Sequence, residues 1–410
     1  MTSAPLQSNR LVTLDVLRGV AVMGIVFMNI FFFSMPSAAY FNPRAWGGLE
    51  TMDVSLWALS FVFIEDKMRG LFALLFGASV LLLLDKDAGN HPMRGHYSRM
   101  GALLILGFAH SIFLANNEIL RLYALCGVIL PLLAKLSART LLIISVILLA
   151  LHMAVGSYIG YHWLWVYFEV LAGNSSAEPI EAMERALGAY APALDAQIER
   201  HLGSYEALIA ARLPKPLSLG IVAIVMLPIT LSTMIFGMAL FRSGFLTATW
   251  KPKRYARVAG ISFAISGTVL AALAAWAVQS GFHAVVIAFN TFVWSAPFDM
   301  LMTYGWAAAL LWLVMTWRAS PAIAWVAAAG RMALSNYVLT SVLLGFIFFG
   351  YGLGLYSAIG RSQAYLYALV PIAAMLAWSK PWLDHFHYGP FEWLWRSLAT
   401  FKRQPLRKPR

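Results

Sequence analysis

Residues 99–135 read RMGALLILGFAHSIFLANNEILRLYALCGVILPLLAK, two apolar runs joined by a short polar hinge, Asn116-Asn117-Glu118. Each run approaches the roughly 20 residues that a helix rising ~1.5 Å per residue needs to cross a bilayer. So short a hinge joins only antiparallel neighbours, which predicts a helical hairpin. His110 precedes the hinge by about six residues, roughly 9 Å along its helix. Glu118 and Arg121 stand three apart on the returning helix and share a face. Ionisable groups at such depths are rare, and they mark either a functional site or a structural ion pair.

The composition agrees with a membrane setting. Of 410 residues 60% are hydrophobic and only 12% charged, and the mean hydropathy is +0.72. A soluble domain has no core large enough for that apolar content, and a membrane barrel would show short alternating segments instead of long runs. The predicted class is therefore an all-α polytopic membrane bundle. The net charge of +12 fits cytoplasmic loops facing anionic lipid better than a nucleic-acid surface. Cys126 is the single cysteine, so no intrachain disulfide forms. The N-terminal apolar run is longer than a signal-peptide core, and Asp15 and Arg18 interrupt its start, which makes it the first membrane helix.

Taken in order, crossings are expected at 11–35, at 67–84 after an interfacial stretch 54–64, at the two arms of the hairpin, and at 141–167. The fifth ends in Tyr158, Tyr161, Trp163, Trp165 and Tyr167, residues suited to the headgroup layer. A polar, Ala-rich stretch from 169 to 216 reads as a water-exposed cap. Crossings follow at 217–241, 255–278, within 282–317, at 322–349 and at 364–378. The long run 282–317 is divided by Pro297-Phe298-Asp299 and divides either into two short crossings or into one crossing with a re-entrant piece. Basic clusters at Lys86 to Arg99, Lys135 to Arg139, Arg242 to Arg257 and Lys402 to Arg410 all face one side if it crosses once. About ten crossings result, with both ends cytoplasmic in a bacterial inner membrane. The organisation expected is a five-helix bundle over 1–168, a cap over 169–216, a second bundle over 217–380 and an aromatic, basic tail over 381–410.

Four constellations can carry chemistry. Asp15 and Arg18, with Arg10 nearby, form either a snorkelling helix-start pair or a corner for a cofactor phosphate. Lys67 and Arg69, with Glu65 and Asp66, lie between apolar runs where burial turns such groups into proton handlers. His110 has small Gly107 on its own face, and a neutral imidazole near a carboxylate suits general-base work on a hydroxyl or amine. Arg331, Ser335 and Asn336 open the ninth crossing, where polar side chains commonly join helices. His385 and His387 lack a partner set spaced for zinc, so no metal is expected. No Walker loop, GxSxG or dinucleotide fingerprint is placed where its fold needs it.

Four blocks carry a family resemblance: RLVTLDVLRGVAVMGIVFMNI at 10–30, FIEDKMRGLFALLFGASVLLL at 63–83, GFAHSIFLANNEILRLYALCGV at 107–128, and GRMALSNYVLTSVLLGFIFFGYGLGL at 330–355 with HYGPFEWLWR at 387–396. As a set they resemble the YeiB-like family of bacterial multipass membrane proteins, with Glu118 where many members carry Asp. More distantly, through Arg10, Leu14, Asp15, Arg18 and Gly19, the chain is similar to transmembrane acyltransferases such as heparan-α-glucosaminide N-acetyltransferase and bacterial sugar O-acyltransferases. That likeness implies acyl transfer from cytosolic acyl-CoA or acetyl-CoA to a hydroxyl or amine at the extracytoplasmic side. His110 would be the base, Glu118 its orienter, and Lys67 or Arg121 the stabiliser of negative charge. Arg10, Asp15, Arg18 and Arg331 would hold the cofactor; Asn29, Asp66, Asn117, Tyr123 and Asn336 would contact the acceptor. Membrane lipids and a small-molecule, lipid or glycan acceptor are the expected partners, with no nucleic acid; oligomer formation is left open. The competing reading is a proton-coupled transporter of a small solute, using the same groups as a midplane site.

Overall fold

The computed structural model describes residues 4–86, 92–115, 118–213 and 220–409, with side chains of the first helix described from residue 12. Among them the architecture is all helix, with one isolated antiparallel bridge between Phe386 and Arg407. The first half runs α1 (Ala4–Ser34), α2 (Ala38–Phe41), α3 (Thr51–Phe63), α4 (Lys67–Lys86), α5 (Pro92–Phe113), α6 (Leu120–Ile129) and α7 (Ala138–Leu171). The cap is α8 (Glu178–Leu187), α9 (Ala191–Leu202) and α10 (Tyr205–Arg212). The second half runs α11 (Gly220–Arg242), α12 (Pro252–Gln279), α13 (Ala284–Phe289), a π turn (Asn290–Trp294), α14 (Ala296–Thr316), α15 (Pro321–Arg331), α16 (Ala333–Phe348), α17 (Arg361–His385) and α18 (Pro390–Thr400).

Among the described residues every expected crossing is helical for most of its length, but not every one is a full span. Among the described residues six helices are long and apolar enough to cross a membrane, and a seventh span results if α15 and α16 count as one. The hairpin falls short. The first turns of α5 carry Arg94, His96 and Arg99, and α6 gives way at Pro131 to a 3-10 turn, Leu130–Leu133. A proline cannot donate its N–H to the helix ladder and clashes with the preceding turn. The ninth crossing does not begin at Gly330: α15 and α16 meet at Met332 with a bend of 80°. The segment 282–317 holds one span, α14, preceded by an apolar piece, Ala284–Trp294, too short to cross.

α1 is the central post and packs against α4, α14, α15, α16 and α17. Its closest neighbour is α15: a Cβ on Gly330 would stand 1.8 Å from the Asp15 carbonyl oxygen, and one on Gly19 2.2 Å from that of Val326. α4 and α11 approach in the same way through Gly77 and Gly237. Small residues let backbones touch, which is how helices gain packing energy where lipid removes the hydrophobic incentive to associate. α7 is the outlier, with most of its apolar side chains exposed. At 34 residues, or roughly 50 Å, it outreaches the hydrocarbon layer, and Tyr158, Tyr161 and Trp165 project from its far end.

The two faces of the bundle are set by polar contacts. The cap lies over the C-terminal end of α1 and over the hairpin tip: Asn42 Nδ2 donates to the Leu187 carbonyl at 2.7 Å, Tyr205 Oη to that of Phe113 at 2.9 Å, and Arg212 Nη1 to that of Leu114 at 3.0 Å. The tail docks at the other end of α16. There Glu392 accepts from the Leu334 and Ser335 N–H groups at 2.7 and 3.1 Å and from the Ser335 hydroxyl. It thus caps the helix start that the bend at Met332 exposes. Burial pushes the Glu392 carboxyl up from its ordinary range, against these hydrogen bonds, which hold it down.

The glycine contacts predict a contrast. Gly330→Ala should destabilise the protein by about 1–3 kcal/mol, the usual cost of overpacking. Gly101→Ala on α5, where a Cβ meets nothing within 4 Å, should be neutral or stabilising by up to ~1 kcal/mol. Thermal unfolding of both variants in the same detergent reads the difference.

Candidate functional site

The sequence-predicted residues separate into three groups instead of one pocket. The first is at the hairpin. His110 is buried, 4% exposed, with its ring stacked on Tyr337 at 4.9 Å between centroids and its Nε2 2.9 Å from Ser341 Oγ. Tyr337 and Ser341 are four apart on α16 and so project from one face toward α5. Nδ1 of His110 is buried without a hydrogen-bond partner. Glu118 is not the neighbour that orients this ring. Its carboxylate binds the Arg121 guanidinium and accepts from the Leu120 and Arg121 N–H groups at 2.7 and 3.2 Å, closing the start of α6. Gly107 makes room for this: a Cβ there would lie 3.0 Å from Glu118 Oε2 and 2.8 Å from Arg121 Cγ. The pair thus fastens α6 to α5 one turn from His110. Asn117 lies outside the described residues.

The second group surrounds the break between α3 and α4. Asp66 takes φ +59°, a left-handed conformation that aspartate tolerates better than most residues. It turns the chain so that Lys67 and Arg69 both point inward. Lys67 is 1% exposed; its Nζ sits 2.6 Å from Asp299 Oδ1 on α14 and also donates to the Phe61 carbonyl. Arg69 pairs with Asp66 at 2.6 Å, and Tyr123 Oη donates to the Arg69 carbonyl at 3.0 Å. Asp66, Arg69, Tyr123, Asp299, Thr230 and Thr291 share the wall of one cavity. On the other side of the break Glu65 and Arg361 of α17 line a second, smaller one. Asp299 and Arg361 are not among the sequence candidates, whereas Glu65 stands there beside Lys67 and Arg69 as a proton handler. Asp299 had a legible signal, a carboxylate in an apolar run beside Pro297. Arg361 reads in sequence only as the start of a helix.

The third group is at the face opposite the cap. Arg18 Nη1 binds Asp15 at 2.8 Å and Nη2 donates to Ser79 Oγ at 2.7 Å, while Arg331 acts on Asp15 electrostatically. The side chain of Arg10 lies outside the described side chains. Asn336 is buried deeper and fully used: Nδ2 donates to the Ala329 carbonyl and Ser379 Oγ at 2.9 and 3.0 Å, and Oδ1 accepts from Trp378 Nε1 at 2.8 Å. It therefore joins α15, α16 and α17, with both of its N–H donors spent on the protein. Asn29 is half-buried on α1 and, among the described residues, makes no side-chain hydrogen bond to these groups. Among the described residues no cluster of His, Cys, Asp and Glu is placed to hold a metal.

These features define a class: a multipass helical membrane protein that keeps a buried imidazole and two charged cavities inside an apolar bundle. Comparison with known proteins places it more closely. Residues 240–402 match the family described as "Protein of unknown function (DUF418)". The chain is 30% identical over 396 residues to "Uncharacterized protein YeiB" of Escherichia coli (strain K12), covering 95% of this chain and 96% of that protein. It is 28% identical over 422 residues to "Uncharacterized protein YxaH" of Bacillus subtilis (strain 168), covering 98% and 97%. The chain belongs to the YeiB-like family.

The ion pair across α4 and α14 has a measurable consequence. Lys67→Met leaves Asp299 buried without its counter-charge and should cost about 3–5 kcal/mol. Lys67→Met with Asp299→Leu should recover most of that loss, because two apolar side chains leave no unpaired charge. Unfolding midpoints of the single and double variants in lipid or detergent give the coupling.

Proposed function

We propose that the chain is a membrane-embedded acyltransferase of the bacterial inner membrane, with both termini cytoplasmic, moving an acyl group from acyl-CoA or acetyl-CoA to a hydroxyl or amine acceptor approached from the cap side. The observation that carries this reading is the hydrogen bond between His110 Nε2 and Ser341 Oγ. An imidazole within 2.9 Å of a hydroxyl is the geometry in which a base takes a proton from a nucleophile. The tautomer this reading requires carries the ring's proton on Nδ1, which makes Nε2 the basic nitrogen and the acceptor from Ser341.

In the reaction the acceptor's O–H or N–H takes the place of the Ser341 hydroxyl on Nε2. The acceptor atom forms its bond to the acyl carbon, its proton passes to Nε2, and the thioester C–S bond breaks. The imidazolium returns that proton to the departing thiolate sulfur. Asp15, Arg18 and Arg331 form the corner suited to the donor's phosphates, where the paired guanidinium of Arg18 and the exposed Arg331 supply positive charge. Glu118 and Arg121 act as positioning residues that hold the hairpin, and Lys67 is committed to Asp299.

A second reading, a proton-coupled transporter of a small solute, draws on a different observation. The larger cavity sits beside a broken helix and is lined by Asp66, Arg69 and Asp299, and transporter sites are commonly built at helix breaks near the membrane midplane.

Purified protein in lipid, given labelled acetyl-CoA and longer acyl-CoA, decides between them. Label should move to an acceptor fraction, and His110→Ala should slow that transfer by about 10²–10⁴-fold, the worth of a general base. Ser341→Ala, which leaves the imidazole in place, should retain most of the turnover. Transfer unaffected by His110→Ala, or CoA-independent solute uptake into vesicles, overturns the acyltransferase reading.

A further inference from the structure

The smaller cavity is a site in its own right, and it does not depend on acyl transfer. It lies between α1, α2, α3, the break at 64–66 and α17, and is walled by Phe31, Tyr40, Trp57, Ser60, Glu65 and Arg361. Glu65 is 6% exposed and Arg361 1%. Arg361 stacks over Phe31 at 4.3 Å and donates from Nη2 to the Ala39 carbonyl. Within this arrangement Glu65 Oε1 and Arg361 Nε are both buried without a hydrogen-bond partner. One is an acceptor when ionised and the other a permanent donor.

Two such atoms facing one cavity constrain what it takes. A cation is repelled by the guanidinium and an anion by the carboxylate. A neutral molecule that accepts from one and donates to the other satisfies both, and buried waters occupy sites of this kind, with two to four polar partners each. The groups facing Glu65 are Asp66 and Lys67 beyond the turn, Asp299 from α14, Arg361 and Tyr365 from α17, and Tyr40 from α2. Lys67 is paired with Asp299 and Arg69 with Asp66, so Glu65 is the carboxylate of this group left to face Arg361, and gain or loss of a proton on it changes the local charge by one.

We infer that Glu65 is a proton-exchange site on the cap side of the bundle, served by water held between its carboxyl and Arg361 Nε. Taking up a proton converts hydronium to water and the carboxylate to a neutral acid. The acid then donates to the water it formerly accepted from, and the Arg361 N–H continues to donate to that water.

Infrared titration of the full chain in lipid nanodiscs tests this. The protonated-carboxyl absorption of all the acids grows as the pH falls, and one component of it, seen as the difference between the parent and Glu65→Gln, should shift promptly when H₂O is replaced by D₂O. Glu65→Gln keeps the shape and should keep an unfolding midpoint close to that of the parent. In Arg361→Lys this component should persist but move in frequency, since the group ordering its water has changed. A parent-minus-Glu65→Gln difference with no protonated-carboxyl component, a component that fails to exchange in D₂O, or one unchanged by Arg361→Lys overturns the inference.

Discussion

A lysine that is 1% exposed inside an apolar bundle must find its counter-charge there, and the rest of the interior is arranged around that requirement. Desolvating an ammonium and a carboxylate costs several kcal/mol each, and their attraction repays this only with close geometry and further hydrogen bonds. Lys67 has both, from Asp299 at 2.6 Å and the Phe61 carbonyl. The break between α3 and α4 is what allows it. A continuous helix would use the Phe61 carbonyl in its own ladder; the turn at Asp66 frees it and swings Lys67 toward α14. Thr303 then donates to the Lys67 carbonyl at 3.2 Å, so the same contact ties α4 to α14 twice.

The sequence announces the expense but not the partner. Long apolar runs and the charged hexapeptide at 65–70 are visible to hydropathy and periodicity, and they predict both the all-helical class and an inward-facing polar break. Asp299 is more than 230 residues away from Lys67, and nothing local ties one to the other. The hairpin fails in the opposite direction. Its apolar content suggests two full crossings, yet Pro131 ends one arm and the early arginines shorten the other. Glu118 and Arg121 are legible as a pair, because three-residue spacing on a helix places them together. That they bind each other instead of His110 follows from Gly107, whose missing side chain opens the place they fill.

Asn336 and Glu392 show how tertiary context reassigns a polar residue. Asn336, read from sequence, is a polar group in an apolar helix, equally suited to ligand or neighbour. The bend at Met332 brings the Ala329 carbonyl within its reach, and α17 supplies Ser379 and Trp378, so both its N–H donors and its carbonyl oxygen are engaged within the bundle. The same bend leaves N–H groups of α16 without helical partners. Glu392, more than 50 residues later, meets them. The tail is therefore part of the bundle's scaffold, and its amphipathic helix is fixed against α5 through Trp395 and Ser98.

The position of Ser341 on α16 links two of the three polar groups. α16 starts at Ala333, directly after Arg331 and the bend, and Ser341 lies eight residues in, a rise of roughly 12 Å. The corner of Asp15, Arg18 and Arg331 and the imidazole thus stand at two levels of one helix, and the side chains of Ser335 and Asn336 between them are bonded to Glu392, Ser379 and Trp378. Under the proposed acyl transfer, a donor held by its phosphates at Asp15, Arg18 and Arg331 would have to span that distance to reach Nε2 of His110. The packing of α1 on α15 through Gly19 and Gly330 leaves no space for it between those two helices. The stacked Tyr337 lies one helical turn nearer the corner than Ser341 and covers one face of the imidazole, so a group that approaches the ring from that face has to displace the phenol.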